Sequence, residues 1–255
     1  MLREIQSINV SMKFPYKEKI RRLSNDIEDL FSGLYNQPIL LPVPDEIEPT
    51  IPRITLNSIN GHSNINVSQV SIDFVVNFDE NYRYDYDKCE VYIKERMLLL
   101  HKFLRKSEIE TIYYIGLTTQ IRFVEEGFED EISLLKETYL TGIEANNLYD
   151  YYQKITLLEN DEYFNNITIG NYREYDGEII NEQIPAIVSF GKAKVHQKGF
   201  FVVLDINNRY KYTIKGQPTP TESLDSVFEK IYLDNREWIN LKMYKYLPEN
   251  IDKEV

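Results

Sequence analysis

Hydrophobic and polar residues alternate in five stretches of the chain. This period of two is typical of a strand with one buried face and one wet face. Such strands are usual in antiparallel sheets that are covered on one side only. The pattern therefore predicts a largely antiparallel sheet. The five predicted strands cover residues 8–14, 72–78, 113–123, 187–195 and 200–206.

Other stretches repeat their apolar residues every three or four positions, which predicts helices with one buried stripe. The pattern predicts one helix over about 16–35 and another over about 86–106. A shorter helix is predicted from Asp130, with Ile132 and Leu135 on its buried side.

A fourth helix is predicted near the C-terminus, because its expected start combines two favourable signals. Residues 219–222 read Thr-Pro-Thr-Glu, which fits a capping box with proline at the first helical position. Apolar residues then recur at helical spacing until Pro248, which marks the predicted end. This would make a long amphipathic C-terminal helix.

The order of these elements divides the chain into two similar parts. Each part ends with a hairpin and an amphipathic helix, and the strands before these helices read VSIDFVVNFDENY and KGFFVVLDINNRY. We expect an α+β protein of two similar halves, 1–107 and 108–255, each an antiparallel sheet covered by amphipathic helices and tightly joined to the other. The alternative is that an α+β chain of this length contains two such stretches by chance. Whether the halves share one sheet stays open.

Two segments carry a resemblance to known proteins: IETIYYIGLTTQIRF after the second helix and LDSVFEKIYLDNREWI near the C-terminus. With these segments the chain resembles a sporadically distributed family of uncharacterised bacterial proteins that have a duplicated sheet-and-helix layout. The resemblance implies a fold, and it implies no activity and no catalytic residues.

The segment from 36 to 53 differs from the rest because it is rich in proline. Dense proline prevents helix formation and weakens strand pairing. We expect an extended connection along the surface or across a sheet edge, with a docking strip for a partner as the alternative. The segment holds five of the ten prolines of the chain, namely Pro38, Pro42, Pro44, Pro49 and Pro52.

Charge and composition narrow the possible settings and partners. The 255 residues include 41 acidic and 29 basic side chains, a net charge of -12, which disfavours direct binding to nucleic acid. Alanine is rare and Ile, Asn, Tyr and Lys are abundant, which indicates an AT-rich genome, bacterial or phage. The chain has no apolar run near the roughly 20 residues that a membrane span needs. With Cys89 as the single cysteine, these features predict a cytoplasmic protein without membrane contact.

Catalytic motifs do not stand out in the sequence. It contains no glycine-rich phosphate loop and no nucleophile elbow, and the three histidines are far apart. Most acidic clusters fall in predicted turns or helix starts, where solvation and the helix dipole explain them. Cys89 lies on an apolar helical stripe and is expected in the core. The sequence thus predicts neither a cofactor nor a metal site.

A few residues are nevertheless candidates for binding. Asp73 and Asp205 lie in apolar strands at corresponding places of the two halves, so they would form a ligand site if they converged. The connection after the strand of Asp73 carries a second group of candidates. Its tyrosines offer contact area at low entropic cost, as binding surfaces often do. This group is Tyr82, Arg83, Tyr84 and Tyr86.

Together these observations predict a noncatalytic cytoplasmic binding module that recognises a protein partner or a small ligand, in bacterial or phage defence, immunity or regulation. The alternative is a metal-dependent phosphoester hydrolase that uses carboxylates such as Asp73, Asp205 or Glu125. A third hypothesis, an acidic decoy of nucleic acid, is disfavoured because Lys and Arg interrupt the acidic residues.

Overall fold

The computed structural model describes residues 2–124, 131–141, 148–175 and 195–248. Within this part of the chain, eleven strands and five α-helices are present, and no helix is long and apolar enough to cross a membrane. The strands are β1 (Leu2–Lys13), β2 (Ile39–Leu40), β3 (Ile54–Asn57), β4 (Ser63–Val67), β5 (Ser71–Asn77), β6 (Thr111–Ile112), β7 (Tyr114–Val124), β8 (Tyr152–Glu159), β9 (Tyr163–Tyr175), β10 (Val195–Asn207) and β11 (Thr219–Pro220). The helices are α1 (Ser24–Phe31), α2 (Tyr86–Lys106), α3 (Glu131–Tyr139), α4 (Arg209–Lys215) and α5 (Leu224–Glu237).

Nine strands form one continuous antiparallel sheet in the order β2-β3-β4-β5-β1-β7-β10-β9-β8. The α+β class predicted from the sequence is confirmed. Strands β1 and β7, one from each predicted half, pair with each other, so one sheet runs through both parts of the chain. The short strands β6 and β11 pair separately.

The core lies between one face of this sheet and the helices. Alternation along β1 buries Ile8, Val10 and Met12 completely, as the period of two predicts. Helix α5 contacts both β7 and β10, while α2 packs against α1 and α5. The large apolar side chains of the sheet therefore point to the helical layer.

Helix α2 spans the residues that the sequence pattern predicts. Its N-cap is Asp85, whose carboxylate accepts a hydrogen bond of 3.1 Å from the amide of Lys88. Cys89 is fully buried on the inner stripe of the helix, as expected from its position on that stripe. Burial raises the pKa of the Cys89 thiol to about 12.

The first predicted helix is shorter than expected. The amide of Lys17 donates to the carbonyl of Gln69 at 2.8 Å, which holds the start of the segment in a loop contact instead of a helical turn. A 3-10 turn over Ile20–Leu23 then leads into α1. The predicted apolar stripe is still used, because Ile20, Ile27 and Phe31 are buried.

The C-terminal helix starts later and ends earlier than the sequence predicts. The amide of Thr221 donates to the carbonyl of Glu110 at 2.8 Å, and its hydroxyl donates to the carbonyl of Ile109. Thr219 and Pro220 pair as β11, so this segment forms a sheet contact and a 3-10 turn where a capping box was expected. After α5 the chain continues through a π-helical turn, Trp238–Lys242, and a 3-10 turn, Met243–Tyr246.

The proline-rich segment runs from the sheet edge, where β2 pairs with β3, around a buried arginine. The Arg53 guanidinium is completely buried and donates to the carbonyls of Ile51 at 2.6 Å and Ile47 at 2.9 Å. It also donates to the carbonyl of Pro44 and to the side chain of Gln69, both at 3.1 Å. The segment is thus an irregular connection that is fixed from inside by one side chain.

Two further differences concern the second half of the chain. The strand predicted over 187–195 lies outside the described residues, apart from Val195, which begins β10. Helix α4 has no counterpart among the sequence predictions. It ends at Gly216, whose φ of 64° lies in the left-handed region that glycine adopts most readily.

Candidate binding surface on the open face of the sheet

The side of the sheet opposite α2 and α5 carries polar side chains, and we call it the open face. The other side of the sheet is buried against the helices. There, Oδ1 of Asn235 in α5 accepts a hydrogen bond from the Thr119 hydroxyl, and the Tyr92 hydroxyl of α2 shares one with the Ser63 hydroxyl. Helix α4 contacts β7 and β9, with the ring of Tyr210 against that of Phe164. In the central strands the open face presents apolar residues, namely Val75, Phe201 and Val203, and the polar residues Asn9, Ser11, Asp73, Thr118, Gln120 and Asp205.

One row of polar side chains crosses four strands of the first half. Thr55, Asn66, Asp73 and Ser11 are successive cross-strand partners on β3, β4, β5 and β1. The Thr55 hydroxyl donates to Oδ1 of Asn66 at 2.9 Å, and the Ser11 hydroxyl donates to Oδ1 of Asp73 at 2.6 Å. Lys13 also approaches the Asp73 carboxylate, with 3.5 Å between Nζ and Oδ2. We call these four partners the first row.

A second row crosses four strands of the other half. Thr156, Asn166, Asp205 and Thr118 are successive partners on β8, β9, β10 and β7. The Thr156 hydroxyl donates to Oδ1 of Asn166 at 2.8 Å, and Nδ2 of Asn166 donates to Oδ2 of Asp205 at 3.0 Å. Asn207 donates to the other carboxylate oxygen of Asp205 at 3.0 Å. We call Thr156, Asn166, Asp205 and Thr118 the second row.

The two rows match residue by residue. Each has threonine, asparagine, aspartate and then a hydroxyl residue, on strands that occupy the same order outward from the centre of the sheet. In both rows the threonine hydroxyl donates to the asparagine carbonyl oxygen. Asp73 and Asp205 therefore have equivalent cross-strand neighbours.

The two aspartates do not converge. Their strands are separated by β1 and β7, and three interstrand spacings of about 4.8 Å correspond to roughly 14 Å. Carboxylates that hold a pair of catalytic metals bring the two ions within about 4 Å of each other. Glu125, the third carboxylate of the hydrolase hypothesis, lies outside the described residues. Among the residues that are described, no three His, Cys, Asp or Glu side chains are grouped as a metal site would require.

A small cavity lies at the Asp205 end of the second row. Its volume is about 230 Å³, below the roughly 300 to 1,000 Å³ of common ligand pockets. Lys154 and Arg209 lie on its wall together with Asp205, Asn166 and Asn207. The ring of Phe164 adds an apolar part to this wall, and the cavity forms a depression in a much wider surface.

Two of the candidate tyrosines belong to the core. Tyr82 packs against Phe78 and Tyr92, with ring centroids 5.8 Å away in each case. Tyr86 is buried, and its hydroxyl donates to Oδ1 of Asn235 at 3.0 Å. Burial also raises the pKa of the Tyr86 hydroxyl above its usual range.

The other two candidates of this connection lie at the surface beside a buried carboxylate. Tyr84 is 46 % exposed, and its hydroxyl donates to Oε1 of Glu4 at 2.9 Å. This hydrogen bond raises the pKa of Tyr84. The Arg83 guanidinium lies 3.9 Å from the other oxygen of Glu4. Since Glu4 pairs with Arg122 of β7, Arg83 and Tyr84 border the open face near the end of β1.

The histidines are widely separated in the structure, as in the sequence. His62 lies 3.6 Å from the Asp79 carboxylate in a surface turn. His101 is buried in α2, where Nε2 lies 2.7 Å from the carbonyl oxygen of Thr221. His196 is near the start of β10.

Compared with known proteins, the chain matches no family model, and no curated protein is significantly similar to it.

Proposed function

We propose that this protein is a noncatalytic binding module that recognises a protein partner through the open face of its sheet. The proposal rests mainly on the two matched polar rows. Each presents hydroxyl, amide and carboxylate groups on rigid neighbouring strands, which is a favourable support for specific hydrogen bonds to a partner.

The dimensions of the open face favour a protein over a small ligand as its occupant. Nine strands at about 4.8 Å spacing span close to 40 Å. A standard protein interface buries about 800 Å² on each side, which such a surface can supply. The cavity beside Asp205 has a volume of about 230 Å³, which is below the range of common small-molecule pockets.

Charge supports a protein partner over nucleic acid. A chain with a net charge of -12 repels phosphates unless it concentrates basic side chains on one surface. On the open face, Lys13 lies beside Asp73 and Arg122 beside Glu174, so positive charge is locally compensated. A cytoplasmic setting in bacterial or phage defence, immunity or regulation stays part of the proposal on the strength of the sequence.

We further infer that residues 1–107 and 108–255 are two copies of one ancestral unit. The strand order supports this, because it runs outward as β1-β5-β4-β3 on one side of the centre and β7-β10-β9-β8 on the other. The equivalence of the two rows adds support from side chains. The hydrolase hypothesis gains no comparable support, since Asp73 and Asp205 lie roughly 14 Å apart across the sheet and are also offset by two residues along the strands.

The test is a quantitative capture experiment with the full chain. The immobilised protein is incubated with an extract of its source cell, beside the double variant Asn66→Arg/Asn166→Arg. Each substitution places a long cation in the middle of one row, where both asparagines are only half-buried and the sheet can accommodate it. We expect at least one protein to be enriched by the unaltered chain and reduced more than tenfold on the double variant.

The matched control is Asn240→Arg, which adds the same side chain at an exposed position of the π-helical turn, on the helical side. It should retain the captured protein. Circular dichroism establishes that both variants are folded. If every captured protein binds the double variant as well as the unaltered chain, the open face is not the recognition surface and the proposal is wrong.

A further inference from the structure

A second cavity lies on the helical side of the sheet, on the opposite face from the two rows. Its volume is about 400 Å³, within the range of common ligand pockets. The turn between β8 and β9 forms one wall, and the end of the C-terminal helical segment forms the other. The residues that matter most for its chemistry are Glu159, Asn165, Trp238, Lys242, Lys245 and Tyr246.

Two aromatic rings line this cavity. The ring centroids of Trp238 and Tyr246 are 5.8 Å apart, with their planes tilted by 35°. Trp238 is the first residue of the π-helical turn, an irregularity that is frequent at functional sites. Leu157 adds an aliphatic contact. The walls therefore suit a flat apolar group.

The cavity wall also contains hydrogen-bonding capacity that the protein does not use. Within the described residues, Nε1 of Trp238 and Oδ1 of Asn165 are buried and have no hydrogen-bond partner. Both side chains are more than nine-tenths buried. Buried polar groups are nearly always paired, so two unpaired polar atoms in residues that line one cavity are exceptional.

Two lysines and one glutamate line the cavity, so the charged side chains of its wall sum to +1, which favours an anion. The Glu159 carboxylate accepts from Nδ2 of Asn165 at 2.6 Å and lies 3.7 Å from Nζ of Lys230, which is itself held by Asp234 at 2.7 Å. Lys242 pairs with Glu237 at 2.8 Å. Lys245 forms no ion pair within the described part of the chain, which leaves one uncompensated cation on the wall.

We propose that this cavity binds a small aromatic carboxylate. Trp238 and Tyr246 contact its ring, and the Lys245 ammonium group pairs with its carboxylate. This site is separate from the open face, so it does not depend on the proposed recognition of a protein partner. It gives the module a small-molecule ligand on the side of the sheet that faces away from the partner.

The cavity contains its own optical probe, since Trp238 is the only tryptophan of the chain. Benzoate and indole-3-acetate are each titrated against the full protein. Binding of benzoate is followed by tryptophan fluorescence. Binding of indole-3-acetate, which is itself fluorescent, is followed by isothermal calorimetry. We expect saturable binding of at least one of them. Benzylammonium and benzamide have the same ring without the negative charge, and they should bind at least tenfold more weakly.

The decisive variant is Lys245→Ala, with Lys215→Ala on the exposed end of α4 as its control. Loss of the Lys245 charge should weaken carboxylate binding at least fivefold and leave benzamide unaffected, whereas Lys215→Ala should change neither. Equal thermal midpoints of the two variants exclude a folding defect. Fluorescence that changes linearly without saturation, together with no calorimetric heat, overturns the proposal, as does equal affinity in Lys245→Ala.

Discussion

The Tyr86 hydroxyl and Oδ1 of Asn235 form a buried hydrogen bond of 3.0 Å between α2 and α5. The same oxygen accepts from the Thr119 hydroxyl of β7 at 3.1 Å. Asn235 is fully buried, so one amide connects the two long helices with the middle of the sheet. This contact joins elements from both halves of the chain.

Replacing Asn235 by alanine is expected to destabilise the fold by about 2 to 4 kcal/mol, because two buried hydroxyl groups lose their acceptor. Urea unfolding followed by circular dichroism measures the change. Asn240→Ala, at an exposed position one turn further along, should cost less than about 0.5 kcal/mol. A similar cost for both variants would mean that the buried network contributes nothing specific.

Arg53 provides a second test, this time of the proline-rich segment. Its guanidinium donates to the carbonyls of Pro44, Ile47 and Ile51, so it replaces the hydrogen bonds that prolines cannot make. Arg53→Lys keeps the charge and loses the planar fork of donors. We expect a loss of about 2 to 4 kcal/mol and rapid proteolysis within 41–52.

The control for this variant is Arg22→Lys, since Arg22 is exposed on the 3-10 turn before α1. It should leave both the unfolding midpoint and the proteolysis pattern unchanged. Limited proteolysis with mass spectrometry locates the cleavage sites. Cleavage elsewhere in Arg53→Lys, with the segment intact, would contradict the role given to the guanidinium.

The alternating strands and helix α2 are predictable because the spacing of their apolar residues depends only on local backbone geometry. Alternation along β1, and the apolar steps along 86–106, follow directly from which face meets the core. Local rules fail where a distant segment competes. Thr221 has a good capping sequence, yet its amide and hydroxyl bind carbonyls of 109–110, more than a hundred residues earlier.

The two polar rows could be predicted only in part, because they too depend on contacts between distant segments. Asp73 and Asp205 stand out because a charge inside an apolar strand is unusual, whereas Asn66 and Asn166 occupy ordinary polar positions. Their role depends on cross-strand register, which joins residues far apart in the chain. The tyrosines of the connection after β5 are a different case, because they stand out in the sequence. Tyr82 and Tyr86 resemble a binding surface in sequence, but Tyr86 is buried in the core and Tyr82 is half-buried against it.

Buried ionisable groups predict that the fold loses stability in alkali. Burial raises the pKa of the Tyr163 hydroxyl to about 12, and the Cys89 thiol is shifted upward in the same way. In the unfolded chain these groups ionise near 10 and 8.5. The native state thus holds protons that the unfolded state releases, and the stabilisation is complete below about pH 8.5 and declines as the pH approaches 12.

Urea unfolding at pH 8, 9.5 and 10.5 measures this decline, which amounts to about 1.4 kcal/mol per pH unit for each proton released. The variant Cys89→Ala lacks the first of these ionisations. It should therefore show a flatter profile between pH 8.5 and 10 than the unaltered protein. Identical slopes in the two proteins would mean that the thiol ionises normally in the native state.

The matched rows lead to a prediction about the two aspartates that links stability with recognition. Asp73 and Asp205 are half-exposed and accept hydrogen bonds from neighbouring side chains. Asp73→Asn and Asp205→Asn should therefore each change the free energy of unfolding by less than about 1 kcal/mol. If both rows contact the partner, each substitution should weaken capture of that protein by about tenfold, as loss of an interface contact worth 1 to 2 kcal/mol does. Asp87→Asn removes an exposed carboxylate of α2 on the helical side and should have no effect on capture. Weakening by only one of the two aspartate substitutions would restrict the interface to one half of the sheet, and weakening by neither would remove the rows from the binding surface.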